Sequence, residues 1–144
     1  MKNIFRLAVS AAAILLVIAA CSKDQKVVKQ LADGKWEVTD LSYDGVSTPD
    51  SVYANDVYEF EKCKVKKEDC AGTWTTIDPT KGEVVTSFTY SISDKGETIT
   101  INIDLSTTIA DIVESSDDKF VWSTTEDGTL IETTIEKMQI APTK

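Results

Sequence analysis

The stretch Thr98-Ile99-Thr100-Ile101-Asn102-Ile103-Asp104-Leu105 sets an aliphatic side chain at every second position and a polar one between. Successive side chains of a β-strand point to opposite faces, so this alternation describes a strand with one buried face and one wet face. The same parity recurs elsewhere. It puts Phe88, Tyr90 and Ile92 on one side, Tyr58 with Phe60, and Trp36 with Val38.

Working outward from that strand, Thr, Val, Ile and aromatic residues are abundant, and helical periodicity is confined to one short segment, which argues for an all-β protein. Eight strands are expected, near Lys35–Tyr43, Asp56–Lys62, Gly72–Ile77, Val84–Ser93, Glu97–Leu105, Thr108–Glu114, Lys119–Glu126 and Thr129–Met138. Asp94-Lys95-Gly96, Ser115-Ser116-Asp117-Asp118 and Asp127-Gly128 supply residues suited to tight turns, so the second half reads as a run of hairpins. The longest gap opens at Gly45-Val46-Ser47-Thr48-Pro49-Asp50. The loops Asp44–Asn55 and Asp78–Glu83 are therefore the expected rim elements.

Strands in such a meander must hide their edges, and closure removes them. The expected fold is a single eight-stranded antiparallel up-and-down β-barrel over residues 34–140. A short helix precedes it, with Val27, Val28 and Leu31 on apolar spacing and Gly34 placed to end it. Residues 141–144 are left as a tail.

Cys63 and Cys70 flank a tight loop, and an oxidising compartment would let them pair as a disulfide. Two thiolates in a chain without histidine make a poor zinc set, so no metal is expected. If these cysteines sit opposite each other in a regular hairpin, Phe60 pairs with Thr73, and Trp74 turns away from Phe60. Three resolutions stand: Trp74 covers the outer surface, a bulge at Gly72 shifts the register, or the disulfide lies beyond the ladder.

The first residues, Met1 to Arg6, carry Lys2 and Arg6 and no acid, and an apolar run follows to Ala20. That run is shorter than the roughly 20 apolar residues that cross a bilayer. It reads as a signal peptide, residues 1–20. The boundary Ile18-Ala19-Ala20-Cys21 resembles the lipobox of bacterial lipoproteins. The resemblance implies that the leader is removed and that Cys21 becomes the N-terminus, acylated with fatty acids such as palmitate. Each buried CH₂ contributes about 0.8 kcal/mol, and more than one chain gives stable anchoring. An ordinary signal peptide cut after Ala20 is the alternative. Ser22 after the cysteine, by the same resemblance, implies an outer-membrane address, with residues 21–33 as tether and short helix. Whether the protein faces the periplasm or the cell surface is left open.

Without the leader, 13 of the 15 basic residues face 24 acids, a net charge of −11, and neither arginine nor histidine is left. Nucleic-acid binding needs clustered cations and is excluded. The one basic cluster, Lys62-Cys63-Lys64-Val65-Lys66-Lys67, reads as a solvated hairpin loop. Ser-His and Cys-His catalysis has no histidine to use, and the acidic pairs Asp117-Asp118 and Glu126-Asp127 sit in turns, so no enzyme and no cofactor are expected.

Gly34-Lys35-Trp36, just before the first strand, resembles the Gly-x-Trp signature of lipocalins. In that family the tryptophan closes the base of an eight-stranded barrel. The resemblance spans about residues 31 to 140 and implies structural roles for Gly34 and Trp36. Lipocalins commonly lay an arginine across the tryptophan; here Lys137 is the substitute, without the planar stacking of a guanidinium. It also implies non-catalytic binding of a small hydrophobic or amphipathic ligand. Tyr58, Phe60, Phe88, Tyr90, Ile101 and Trp122 are the candidate lining. The alternative is a filled barrel that works as a surface interaction or structural protein.

Overall fold

The structure, a computed structural model, describes residues 23–65 and 69–139. The leader, Cys21, Lys66, Lys67 and the tail 141–144 lie outside the described residues. A helix, α1, covers residues 23–31. The strands are β1 (Lys35–Tyr43), β2 (Val46–Ser47), β3 (Val57–Phe60), β4 (Cys70–Asp78), β5 (Gly82–Ser93), β6 (Thr98–Ile103), β7 (Ser106–Ser115), β8 (Lys119–Glu126) and β9 (Thr129–Lys137). Each pairs antiparallel with its neighbour, and β1 returns to β9, so eight strands close the expected barrel, with the two-residue β2 folded back on β1.

Turn chemistry sets the strand ends. Asp44-Gly45 and Asp127-Gly128 take positive φ at both residues, the hairpin geometry whose twist matches that of paired strands. The expectation that the strand beginning at Glu97 runs through Leu105 is corrected: the observed β6 ends at Ile103. Asp104 adopts φ +51°, the chain reverses at Asp104-Leu105, and Leu105 is fully exposed. A short aspartate side chain tolerates this left-handed backbone without a glycine to announce it.

The barrel has two unlike ends. At the base, Val27, Val28 and Leu31 of α1 enter the core with Trp36, Phe120 and Ile135. Side-chain bonds hold the helix there. Asp24 accepts from the Gly96 amide at 2.7 Å, and Gln25 both donates to the Cys63 carbonyl at 2.9 Å and accepts from the Val65 amide at 3.2 Å. At the opposite end, hereafter the mouth, lie the turns at 44–45, 79–81, 104–105 and 127–128.

Two seams of the wall are irregular near the mouth. β3 covers β1 only from Lys35 to Glu37. Above that the long loop itself lines β1: Thr48 donates to the Leu41 carbonyl, Tyr53 Oη to that of Thr39, and the Val38 amide to Asp56. Tyr53 is buried in the process, and burial together with the Asp50 carboxylate pushes its phenol up. The segment read as a rim loop is thus also a patch in the wall, aided by a bulge at Thr39. The second seam lies between β7 and β8, whose ladder ends at Asp111 and Ser123; above it Thr124 Oγ1 bridges to the Ile109 carbonyl at 3.0 Å.

Cys63 and Cys70 are joined, with Cα atoms 5.3 Å apart. Cys63 lies outside β3, so the bridge does not set the ladder. Tyr58 pairs with Trp74 and Phe60 with Gly72, which turns Trp74 inward. Of the three resolutions, the third holds. Gly72 is there because Phe88 occupies the space beside it: a Cβ would run into that ring and sit 2.9 Å from the Glu59 carbonyl oxygen. Gly72→Ala is expected to lower stability by about 1–3 kcal/mol through overpacking, read as a lower urea midpoint.

Candidate functional site

Trp36 closes the base. It is fully buried, donates from Nε1 to the Leu31 carbonyl at 2.7 Å, and meets Phe120 edge-on at 5.4 Å between centroids. It pairs across the sheet with Lys137, whose stem lies against Gly34 and whose Nζ reaches Asp33 at 2.9 Å. Gly34 has φ +138°, a backbone conformation that strains any side chain, while the Lys137 stem lies close beside it. Hydrogen bonding and the charge of Lys137 hold the Asp33 carboxyl below its ordinary range.

Above the base the interior is aromatic. Tyr58 stacks on Phe60 and Trp74 and meets Phe88 and Trp122 edge-on, all with centroids about 6 Å apart. Phe60 also packs edge-on against Phe88 and Tyr90. Tyr90 is fully buried, donating its hydroxyl to the Glu61 carbonyl at 2.9 Å, and Ile101 lies in the same core cluster. Of the six candidate lining residues, Phe60, Phe88, Tyr90, Ile101 and Trp122 are therefore packed core. Tyr58 is half-buried against that core and meets both Trp74 and Trp122 in the last aromatic layer before the mouth.

Toward the mouth the inward face changes character. Parity carries it from Trp74 to Thr76, from Ile101 to Ile103, and from Trp122 to Thr124; Val84 pairs with Thr76, Ile131 with Thr124, and Thr108 with Ile101 just below. All six are only half-buried, as are Tyr58 and Trp74 beneath them, whereas Phe60, Phe88 and Tyr90 lower down are buried. The mouth half is thus a wall of alternating threonine and aliphatic side chains over an aromatic floor. Outer-face neighbours such as Ile77, Val85, Ile109 and Leu130 are exposed, and a small groove of about 230 Å³ runs along the parted β7–β8 seam past Ile109 and Leu130.

Two polar groups on that floor stand out. Burial pushes the Tyr58 phenol up to about 12, with a smaller contribution from the Asp56 carboxylate. The Trp74 indole N–H is shut off from solvent and has no hydrogen-bond partner. Sequence parity alone could not find Trp74, because its face depended on a register that the cysteines suggested wrongly.

The alkaline consequence is testable. A phenol whose folded pKa exceeds its unfolded value stabilises the fold fully below about pH 10 and loses that contribution as pH rises through about 12. Phenolate absorbance from Tyr58 is expected only near pH 12, coincident with loss of near-ultraviolet circular dichroism. Ionisation of all four tyrosines near pH 10 in the folded protein would contradict it.

Among the described residues no group of three His, Cys, Asp or Glu side chains is placed to hold a metal, and no helix is long and apolar enough to cross a membrane. No protein-family model matches the chain, and no curated protein is significantly similar to it.

Proposed function

We propose that this is a lipid-anchored envelope protein, held through Cys21 at the outer membrane, whose lipocalin-like barrel binds a small amphipathic molecule without catalysis. The observation that carries the reading is the half-buried threonine and aliphatic wall above the floor of Tyr58, Trp74 and Trp122. Sites for small molecules are concave and mostly apolar, with few polar groups to fix orientation. The unpartnered Trp74 N–H is such a group. The absence of histidine from the chain supports a non-catalytic role.

The anchor reading draws on the lipobox-like Ile18-Ala19-Ala20-Cys21 and on α1, which places the N-terminal side of the chain at the base. An anchored molecule then presents its mouth away from its own membrane. The second reading, a barrel acting only through its surface, is favoured by the tight packing of Phe60, Phe88, Tyr90 and Ile101.

Native mass spectrometry of the protein purified from its own envelope separates the two. A discrete extra mass lost on denaturation is expected. A bare protein that also leaves an apolar fluorescent probe unbound would favour the surface-acting barrel. Cys21→Ser is expected to abolish acylation and release the protein from the membrane fraction.

A further inference from the structure

Lysine is unevenly divided between the two ends of the barrel, while acids occur at both. Of the ten lysines among the described residues, nine lie on α1, in the β3–β4 loop, in the β5–β6 turn or at strand ends around the base; Lys81 alone is at the mouth. The mouth instead carries Asp44, Asp50, Asp78, Asp104, Glu126 and Asp127.

Local structure explains some of these acids. Asp78 caps its turn by accepting from the Thr80 and Lys81 amides, which also holds its carboxyl below the ordinary range, and Asp44 accepts from the Leu130 amide. Turn chemistry does not explain the missing lysines, since the base turn Asp94-Lys95-Gly96 accommodates one at φ +63°. Glu126 has no such structural bond among the described residues. By parity it continues the inward face beyond Trp122 and Thr124.

A second, independent feature lies below this ring. Trp74 is turned inward by its pairing with Tyr58, and its N–H is dry and unpartnered beside the Tyr58 ring that stacks on it. A buried donor without an acceptor costs free energy that a ligand oxygen would recover. Aromatic faces also attract cations, and an acidic rim over a low-dielectric cup raises the local concentration of positive ligands.

We infer that the mouth selects a positively charged amphiphile. Its apolar chain lies along the threonine and aliphatic wall, an acceptor oxygen faces the Trp74 N–H, and its cationic head sits among the rim carboxylates. The inference rests on the ligand-binding reading above and adds the chemical class. Anionic amphiphiles such as free fatty acids are disfavoured by the same ring.

Three probes sharing a dodecanoyl chain test it below their micelle concentrations: lauroylcholine, monolaurin and laurate, with cationic, neutral and anionic heads. Binding is read from tryptophan fluorescence, and stoichiometry from native mass spectrometry. Lauroylcholine is expected to bind one to one, at least tenfold tighter than laurate at low salt, the gap narrowing as salt screens the rim. The double variant Asp104→Lys/Glu126→Lys is expected to lose about tenfold for lauroylcholine. The base control Glu97→Lys/Asp118→Lys, with the same change in net charge, should shift affinity less than twofold.

Equal affinity for all three probes would overturn the charge selectivity and leave the ligand reading standing. Equal weakening by the two double variants would assign the effect to overall charge and overturn the role of the mouth. Binding of none of the probes would overturn this inference, and with the envelope-purified protein also bare, the ligand reading as well.

Discussion

Trp36→Ala is expected to lower the unfolding free energy by about 3–5 kcal/mol, the range for deleting a buried aromatic side chain. Small domains have about 5–15 kcal/mol to lose, so the variant would be at the edge of folding. Three losses combine at this position. The ring is fully buried, its edge contact with Phe120 disappears, and the Leu31 carbonyl loses its donor at the point where α1 turns into β1. Trp36→Phe keeps a buried aromatic ring but loses the N–H and part of the ring volume, so it should cost less, about 1–2 kcal/mol. Urea unfolding of both variants checks the ordering. A Trp36→Ala protein as stable as its parent would mean that the base is not closed through this residue.

The second large effect is expected from Cys63→Ala/Cys70→Ala. In the chain-entropy model a loop of about eight residues contributes about 2.5 kcal/mol. Gln25 extends the consequence beyond the loop, because its amide bonds the Cys63 carbonyl and the Val65 amide and so ties α1 to the bridged segment. Amide exchange should therefore quicken not only at Val65 but also in the helix. Acceleration confined to residues between the cysteines would show that the helix is held by its other contacts alone.

How much of this was legible in the sequence depended on the range of the determining interaction. Parity within a strand is local, and Lys119–Glu126 was recovered to the residue because Asp117-Asp118 and Asp127-Gly128 bound it on both sides. Leu105 was misplaced because aspartate can turn the chain without glycine, so alternation ran two residues too far. The face of Trp74 lay beyond local reading. It depends on whether the β3–β4 ladder or the disulfide sets the register, and the close fit of Phe88 against Gly72 decides that from another strand.

The candidate site was legible in kind and less so in place. Burial parity identified aromatics inside the barrel, and all six are inside or against the core. Strand alternation says in or out and nothing about height along the barrel axis. Phe60 and Phe88 therefore could not be told from Tyr58, although of the three only Tyr58 is half-buried and stacks on Trp74. The long loop was opaque for a different reason: it satisfies the backbone of β1 through scattered bonds with no periodicity to read.

Closure through β1 and β9 also has a kinetic side. Every other barrel pairing joins strands that are neighbours along the chain, apart from the short β2 excursion, whereas β1 must find a strand from the far terminus. Contacts between distant segments carry the larger loop-closure entropy and form slowly. The meander from β4 to β9 is expected to assemble first, and α1 with β1 to dock last, as a unit coupled by the Trp36 bond to Leu31. Until then β3 and β9 present open edges, which a second copy's β1 could fill. Exchange of this N-terminal unit between two chains is the characteristic misfolding route of such a topology, and tethering at the exchanged end would make encounters between copies frequent.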